Sequence, residues 1–172
     1  MNRKLRSFDT KRLVTLSAIT AVAMILSYVE SLLPPILPLP GAKIGLSNIA
    51  TVFALYTLGI RAAVAVSLVR VFLSALLFGN AAALIYSLFG AVFALSFMII
   101  FYKTKIFSEI GVSVVGGFFH NVGQITAAAI VMENGAIAVY LPPLAIVGTV
   151  AGVAVGVAAG LLVKRIGKRL GK

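Results

Sequence analysis

Six apolar runs constrain this chain more than any other feature of its sequence. They cover residues 13–33, 44–60, 62–78, 81–102, 110–132 and 140–163 of a 172-residue chain. A transmembrane helix needs about 20 mostly apolar residues, and these runs are close to that length. The sequence therefore predicts one integral membrane domain over residues 1–172, an all-α bundle of six transmembrane helices.

Composition supports the membrane class. Hydrophobic residues make up 61% of the chain and charged residues 11%, and the mean hydropathy is +1.12. Soluble domains are nearer half apolar and a quarter charged. The net charge of +11 is explained by basic residues that flank apolar runs, so we expect a lipid bilayer and no nucleic acid as its partner.

The breaks between the runs carry turn residues, such as "PPILPLPGAK", "GN" and "ENG". The boundary "LGIR" between the second and third runs is the weakest of them. It leaves open a single long, kinked helical hairpin in place of two helices.

Basic residues also predict the orientation. With the N-terminus inside, Lys43 is the one lysine or arginine of the outer loops, and Arg70 lies within a span. Positive charge collects in cytoplasmic loops. We therefore expect a multi-pass protein of the cell membrane with both termini in the cytoplasm.

Arg70 stands in the middle of the third run. At 100° per residue, Ala63, Ser67, Arg70 and Ser74 share one helix face, and bulkier apolar residues cover the opposite face. Ionisable residues inside a membrane usually face the bundle interior or a wet cavity. Arg70 is thus predicted to face inward, where it either ties to Glu30 or backbone carbonyls or contacts a ligand.

The fifth run contains "GGFFHNVGQ". Helical projection places His120, Asn121 and Gln124 on one face with small residues, and bulky residues such as Ile125 on the other. Such a face is typical of a polar packing seam between helices. It is equally suited to the floor of a ligand cavity, which we favour.

The segment "PPILPLPGAKIGLSN" leads into the second run. It brings Lys43, Ser47 and Asn48 to a helix N-terminus, and Glu30 ends the first run on the same side. Helix N-termini attract anions. These four residues are predicted to form an outer mouth, although an ordinary capped helix would use the same residues. Lys43 and Arg70 together favour a small-molecule ligand with an anionic group.

The last run carries glycine at every fourth position. This G-x-x-x-G pattern permits close helix crossing, within the bundle or with a partner. The four positions are Gly148, Gly152, Gly156 and Gly160.

Several chemistries are disfavoured by the residues themselves. The chain has no cysteine, one histidine and one aspartate, Asp9, so neither a zinc site nor an aspartate-rich magnesium site is expected. No phosphate-binding G-x-x-x-x-G-K-[ST] loop is present. We expect no enzyme activity, no metal and no cofactor.

The motifs "PGAKIGLSNIATVFALYTLG", "RVFLSALLFG", "YSLFGAVFALSFM" and "GVSVVGGFFHNVGQ" carry a family resemblance. Over residues 13–165 the chain resembles the family labelled Gx transporter or heptaprenyl diphosphate synthase component I, which is similar to S components of energy-coupling-factor (ECF) transporters. The resemblance implies a six-helix S-component fold that is energised in trans by a transmembrane coupling protein with two ATPases. S components present an A-x-x-x-A patch on the first helix for docking, and this chain has Ser17 and Ala21 at that spacing.

These observations favour a membrane subunit that binds and translocates a small organic nutrient or an isoprenoid- or quinone-related precursor. Arg70, His120, Asn121 and Gln124 would line its cavity. One alternative is a non-catalytic membrane partner of a prenyl diphosphate or quinone biosynthesis enzyme. Another is a solo carrier driven by protons through His120.

Overall fold

The protein folds as a bundle of helices. The structure is a computed structural model, and it describes residues 10–33 and 45–167. Within these ranges all regular secondary structure is helical, which confirms the predicted all-α membrane fold. Its α-helices are α1 (Thr10–Leu32), α2 (Asn48–Thr57), α3 (Ile60–Phe78), α4 (Ala81–Thr104), α5 (Glu109–Val131) and α6 (Leu141–Leu162).

Helices other than α2 are long and apolar enough to cross a membrane. Successive helices run in opposite directions, which gives the bundle two ends. At the first, the rings of Tyr28 and Phe78 meet with centroids 5.6 Å apart. At the second, the Tyr56 hydroxyl donates to the Phe107 carbonyl at 3.1 Å. We call these the Glu30 end and the Glu109 end; the predicted orientation would place the Glu109 end in the cytoplasm.

The second element differs from its prediction. Instead of a span over residues 44–60, the described residues form a helix of only 10 residues, Asn48–Thr57, which at 1.5 Å per residue crosses about half of the hydrocarbon layer. Gly59 causes the break, because its φ of 90° leaves the helical region and suits glycine alone. The amides of Leu58 and Gly59 both donate to the Ala54 carbonyl and close the helix. The weak "LGIR" boundary is thus a real helix end.

A short 3₁₀ helix, Gly135–Tyr140, precedes α6. The Asn134 side chain starts it by accepting a hydrogen bond from the Ala136 amide at 2.9 Å. Prolines then occupy the first turn of α6, where their missing N–H costs nothing. The predicted sixth run, 140–163, therefore begins at a genuine helix start.

The helices pack in two groups of three. In the C-terminal half, α5 lies between α4 and α6 and packs extensively on both. In the N-terminal half, α1, α2 and α3 pack on one another more sparsely. The α3–α4 and α2–α6 contacts join the two halves.

Candidate functional site

Arg70 faces the interior of the bundle. Only 6% of its surface is exposed, and Ser67 and Ser74 on the same face of α3 are buried too. Phe72 and Leu76 on the opposite face are 52% and 80% exposed. The predicted inward orientation of Arg70 is confirmed.

Two hydrogen-bond donors of the Arg70 guanidinium are unpartnered in the described part of the chain. Its Nε and Nη2 atoms are buried and have no hydrogen-bond partner among the described residues. Glu30, which is also buried, has a charge that acts on this guanidinium. One edge of the planar guanidinium, formed by Nε and Nη2, is therefore not engaged by the described residues.

Glu30 links α1 to the start of α2. It is buried, and its Oε1 accepts a hydrogen bond from the Gly45 amide. Gly45 adopts a φ of 85°, which glycine tolerates without strain. Lys43, the remaining charged residue of the predicted mouth, lies outside the described residues.

Ser47 and Asn48 lie at the beginning of α2. Ser47 is fully buried, whereas Asn48 is half-buried. The Ser47 hydroxyl does not cap the helix, although serine is among the preferred capping residues. Its oxygen has no hydrogen-bond partner in the described part of the chain.

The three polar residues of the "GGFFHNVGQ" motif on α5 point inward. His120, Asn121 and Gln124 are 6%, 2% and 4% exposed, as the helical projection predicts. Ile125 is a correction to that projection. The projection sets it on the bulky, apolar face opposite the polar row, yet it is buried as well, because it packs with Tyr86, Ile137 and Leu144.

The polar row of α5 is shared between two neighbouring helices. The imidazole of His120 lies against α4 at Gly90, where an added Cβ would come within 2.7 Å of the ring. Asn121 turns to α6 and donates from Nδ2 to the Leu144 carbonyl at 2.7 Å. Asn121 is therefore a tie between α5 and α6, with its Oδ1 left without a partner in the described residues.

Two further buried hydroxyls, on α1 and α2, were not predicted as site residues. Ser27 lies one turn before Glu30 on the buried face of α1, and Thr51 lies one turn after Ser47 on α2. Neither oxygen has a hydrogen-bond partner in residues 10–33 and 45–167. Their spacing of three residues from Glu30 and four residues from Ser47 was the signal that could have identified them.

Buried polar groups without partners are costly and need an explanation. Each costs about 1–3 kcal/mol, and proteins normally pair them or hydrate them. Apart from the Asn121 Oδ1 on α5, those named so far lie in α1, α3 and at the start of α2. The atoms of this half are Ser27 Oγ, Ser47 Oγ, Thr51 Oγ1, Arg70 Nε and Arg70 Nη2.

The glycine stripe of α6 faces α5. An added Cβ at Gly148, Gly152 or Gly156 would fall within 2.6–2.7 Å of α5 backbone atoms, or closer still to Asn121. Gly160 has more room, since the nearest atom would be 3.8 Å away. Gly148, Gly152 and Gly156 therefore pack against α5 within the bundle and are not available to a partner helix.

Ser17 and Ala21 point away from the bundle. Both are exposed on α1, whereas Ile19, Ala23 and Ser27 form its buried face. A patch of small residues on an outward helix face allows another transmembrane helix to approach closely.

A cavity of about 380 Å³ lies elsewhere, between the ends of α3 and α4. Its lining is apolar apart from Asn80 and includes the outward-facing Phe72 and Leu76. The side chain of Asn80 caps α4 by accepting from the Ala83 amide at 2.8 Å. None of the predicted site residues that the structure describes lines this cavity.

Comparison with solved structures identifies the fold. A structure described as the S component of a bacterial ECF transporter superposes with a TM-score of 0.71 and 20% sequence identity. The match covers 95% of this chain and 99% of the other. No curated protein matches the chain.

Comparison with protein families gives a match over most of the chain. The family described as heptaprenyl diphosphate synthase component I matches residues 19–162. That range includes all six helices apart from the first turns of α1. It also holds Arg70, the polar row of α5 and the glycine stripe of α6. The chain therefore belongs to the heptaprenyl diphosphate synthase component I family.

Proposed function

We propose that this protein is the membrane-embedded substrate-binding subunit of an importer. It takes up a small organic nutrient or an isoprenoid- or quinone-related precursor across the cell membrane and has no catalytic activity of its own. The observation that carries the proposal is Arg70, a buried arginine in a membrane helix with two unengaged donors. Such a group is expensive in hydrocarbon and is usually functional. The similarity to an S component supports the same reading.

The proposed binding site uses both halves of the bundle. Arg70 contacts the ligand from α3, and His120, Asn121 and Gln124 approach from α5. Glu30, Lys43, Ser47 and Asn48 form the mouth at the Glu30 end, which faces outward in this proposal. Asn121 also holds α5 to α6, so its loss affects folding as well as binding.

Energy for import comes from a separate module in this proposal, a transmembrane coupling protein with two ATPases. Ser17 and Ala21 on the exposed face of α1 supply the docking patch. The glycines of α6 are less suited to that role, because α5 already occupies most of the stripe.

Co-purification tests the coupling. The tagged full-length chain, extracted in a mild detergent from its own cells, is expected to retain a coupling protein and ATPase subunits. Ala21→Leu places a branched side chain in the docking patch and is expected to reduce that recovery by about tenfold, as measured by quantitative mass spectrometry. Val22→Leu, at a 51%-exposed position beside it, is the matched control and keeps recovery. Equal recovery for both variants would place the docking surface elsewhere.

A second candidate function is favoured by the family description. The chain would then be a non-catalytic membrane partner of a prenyl diphosphate or quinone biosynthesis enzyme. Recovery of a soluble prenyl synthase without ATPase subunits in the same experiment would support it. The single aspartate, Asp9, argues against catalysis by the chain itself, because diphosphate chemistry needs carboxylates that hold magnesium.

A further inference from the structure

The unengaged edge of Arg70 specifies the chemical group that its ligand carries. We infer that Arg70 binds an oxyanion of the ligand, a carboxylate or a phosphate, side-on through Nε and Nη2, with hydroxyls of α2 beside it. This inference rests on the proposed function and names the ligand class of that same site.

The identity of the two unengaged atoms carries the inference. Nε and Nη2 present their N–H groups along one edge of the guanidinium, parallel to each other. That edge matches the two oxygens of a carboxylate or phosphate and forms two parallel hydrogen bonds with them. A single carbonyl or hydroxyl oxygen would engage only part of this edge.

Burial makes the edge a binding group rather than a solvated surface. Only 6% of the Arg70 surface is exposed. Its Nε and Nη2 atoms are buried and have no described hydrogen-bond partner. A ligand oxyanion that reaches them there meets little competition from water.

The hydroxyls of α2 supply further donors. Ser47 and Thr51 are 0% and 2% exposed, their oxygens have no described partner, and they lie one helical turn apart. The helix α2 packs against α3, which carries Arg70, and against α1, which carries Glu30. Unpartnered buried hydroxyls on a helix that packs against α3 are candidate further donors to the same oxyanion.

The test uses the full-length protein in lipid nanodiscs and pairs of small molecules that differ in one group. Benzoate and nicotinate are compared with benzamide and nicotinamide, and inorganic phosphate is tested alone. The midpoint of thermal unfolding of the wild-type protein is expected to rise with the carboxylates or with phosphate, and not with the amides. The probe that raises the unfolding midpoint more, carboxylate or phosphate, identifies the preferred oxyanion.

Variants of Arg70 separate charge from geometry. Arg70→Gln is expected to weaken the response between about tenfold and a hundredfold in apparent Kd, because both charged hydrogen bonds are lost. Arg70→Lys keeps the charge without the edge and is expected to lose about tenfold. Arg61→Gln on the exposed start of α3 is the matched control and binds as wild type. If Arg70→Gln does not fold, Ser47→Ala replaces it, with an expected loss of about fivefold.

Native mass spectrometry of the same preparations distinguishes failure of this inference from failure of the proposed function. A retained small molecule that has no carboxylate or phosphate, and that Arg70→Gln still retains, overturns the oxyanion inference but supports the importer. Equal binding by wild type and Arg70→Lys overturns the side-on geometry. A wild-type protein that retains no molecule and responds to no probe contradicts both proposals.

Discussion

The two halves of the bundle use small and polar residues in opposite ways. In the C-terminal half, glycines let the backbones of α4, α5 and α6 come into contact, and the Asn121 amide donates a hydrogen bond to the Leu144 carbonyl of α6. In the N-terminal half, the hydroxyls of Ser27, Ser47 and Thr51 and two guanidinium nitrogens of Arg70 are buried and have no described hydrogen-bond partner. The C-terminal half thus uses glycines and the Asn121 donor in helix packing, although the Asn121 Oδ1 also has no described partner. In the described part of the N-terminal half, such unpartnered polar atoms are more numerous.

This difference follows from the physics of the bilayer. Helices in lipid gain little from apolar burial against each other, so close contact and interhelical hydrogen bonds hold them together. Gly117, Gly148 and Gly123 provide such contact in the C-terminal half. Closely packed helices of this kind can support a second group of helices that contains polar atoms without hydrogen-bond partners. The free energy of ligand binding can compensate for the cost of those unpaired atoms.

The largest effect is expected at the crossing of α5 and α6. A Cβ at Gly117 would lie 2.2 Å from the Gly148 carbonyl oxygen, and backbone atoms cannot move aside singly. We expect Gly117→Ala to lower the free energy of unfolding by about 3 kcal/mol, through separation of the two helices. Thermal or denaturant unfolding in bicelles measures this loss.

Gly160→Ala is the matched control on the same stripe. Its Cβ would meet nothing nearer than 3.8 Å, and alanine is the better helix former by up to about 1 kcal/mol. It should leave stability unchanged or raise it slightly. If both variants destabilise the protein equally, the contrast between close and loose packing along α6 is wrong.

Asn121 should give the next largest effect. Asn121→Ala removes the hydrogen bond to the Leu144 carbonyl, and interhelical hydrogen bonds in membrane proteins are worth about 0.6–1.7 kcal/mol. We therefore expect a loss of about 1 kcal/mol in unfolding free energy together with weaker ligand binding. Asn121→Asp keeps the shape but sets an acceptor against a carbonyl, so its loss should be greater. Unchanged stability in both variants would mean that Asn121 serves the ligand alone.

Most of the fold could be predicted from the sequence because the bilayer imposes simple rules. Apolar length identified the helices, and the predicted third, fourth and fifth spans agree with α3, α4 and α5 within a few residues. The length of α2 could not be predicted, since apolar content does not distinguish a half-span from a full one. Its end is set by the backbone of Gly59, whose conformation is a tertiary property.

The candidate site was predictable only as far as helix periodicity reaches. Periodicity shows which face a residue occupies, so the inward positions of Arg70 and His120 followed from the sequence. It does not show what lies opposite that face. The contact of His120 with Gly90 and the bond of Asn121 to Leu144 depend on the rotation of α4 and α6. The burial of Ile125 has the same origin.

The smallest expected effect has the opposite sign and tests the N-terminal half. Thr51 is 2% exposed and its hydroxyl has no described partner, so the isosteric Thr51→Val removes an unpaired buried group. We expect the ligand-free protein to gain about 1 kcal/mol in unfolding free energy, while its response to oxyanion probes weakens. Thr57→Val on the same helix is the control: the Thr57 hydroxyl donates to the Phe53 carbonyl at 2.7 Å, so its removal loses a hydrogen bond and is expected to lower the free energy of unfolding by about 1 kcal/mol. A protein in which Thr51→Val is destabilised, like a variant that loses a native hydrogen bond, would show that this hydroxyl is already paired. The two halves would then manage their polar groups in the same way. A gain in stability together with a loss in binding would instead show that α2 gives up stability for recognition.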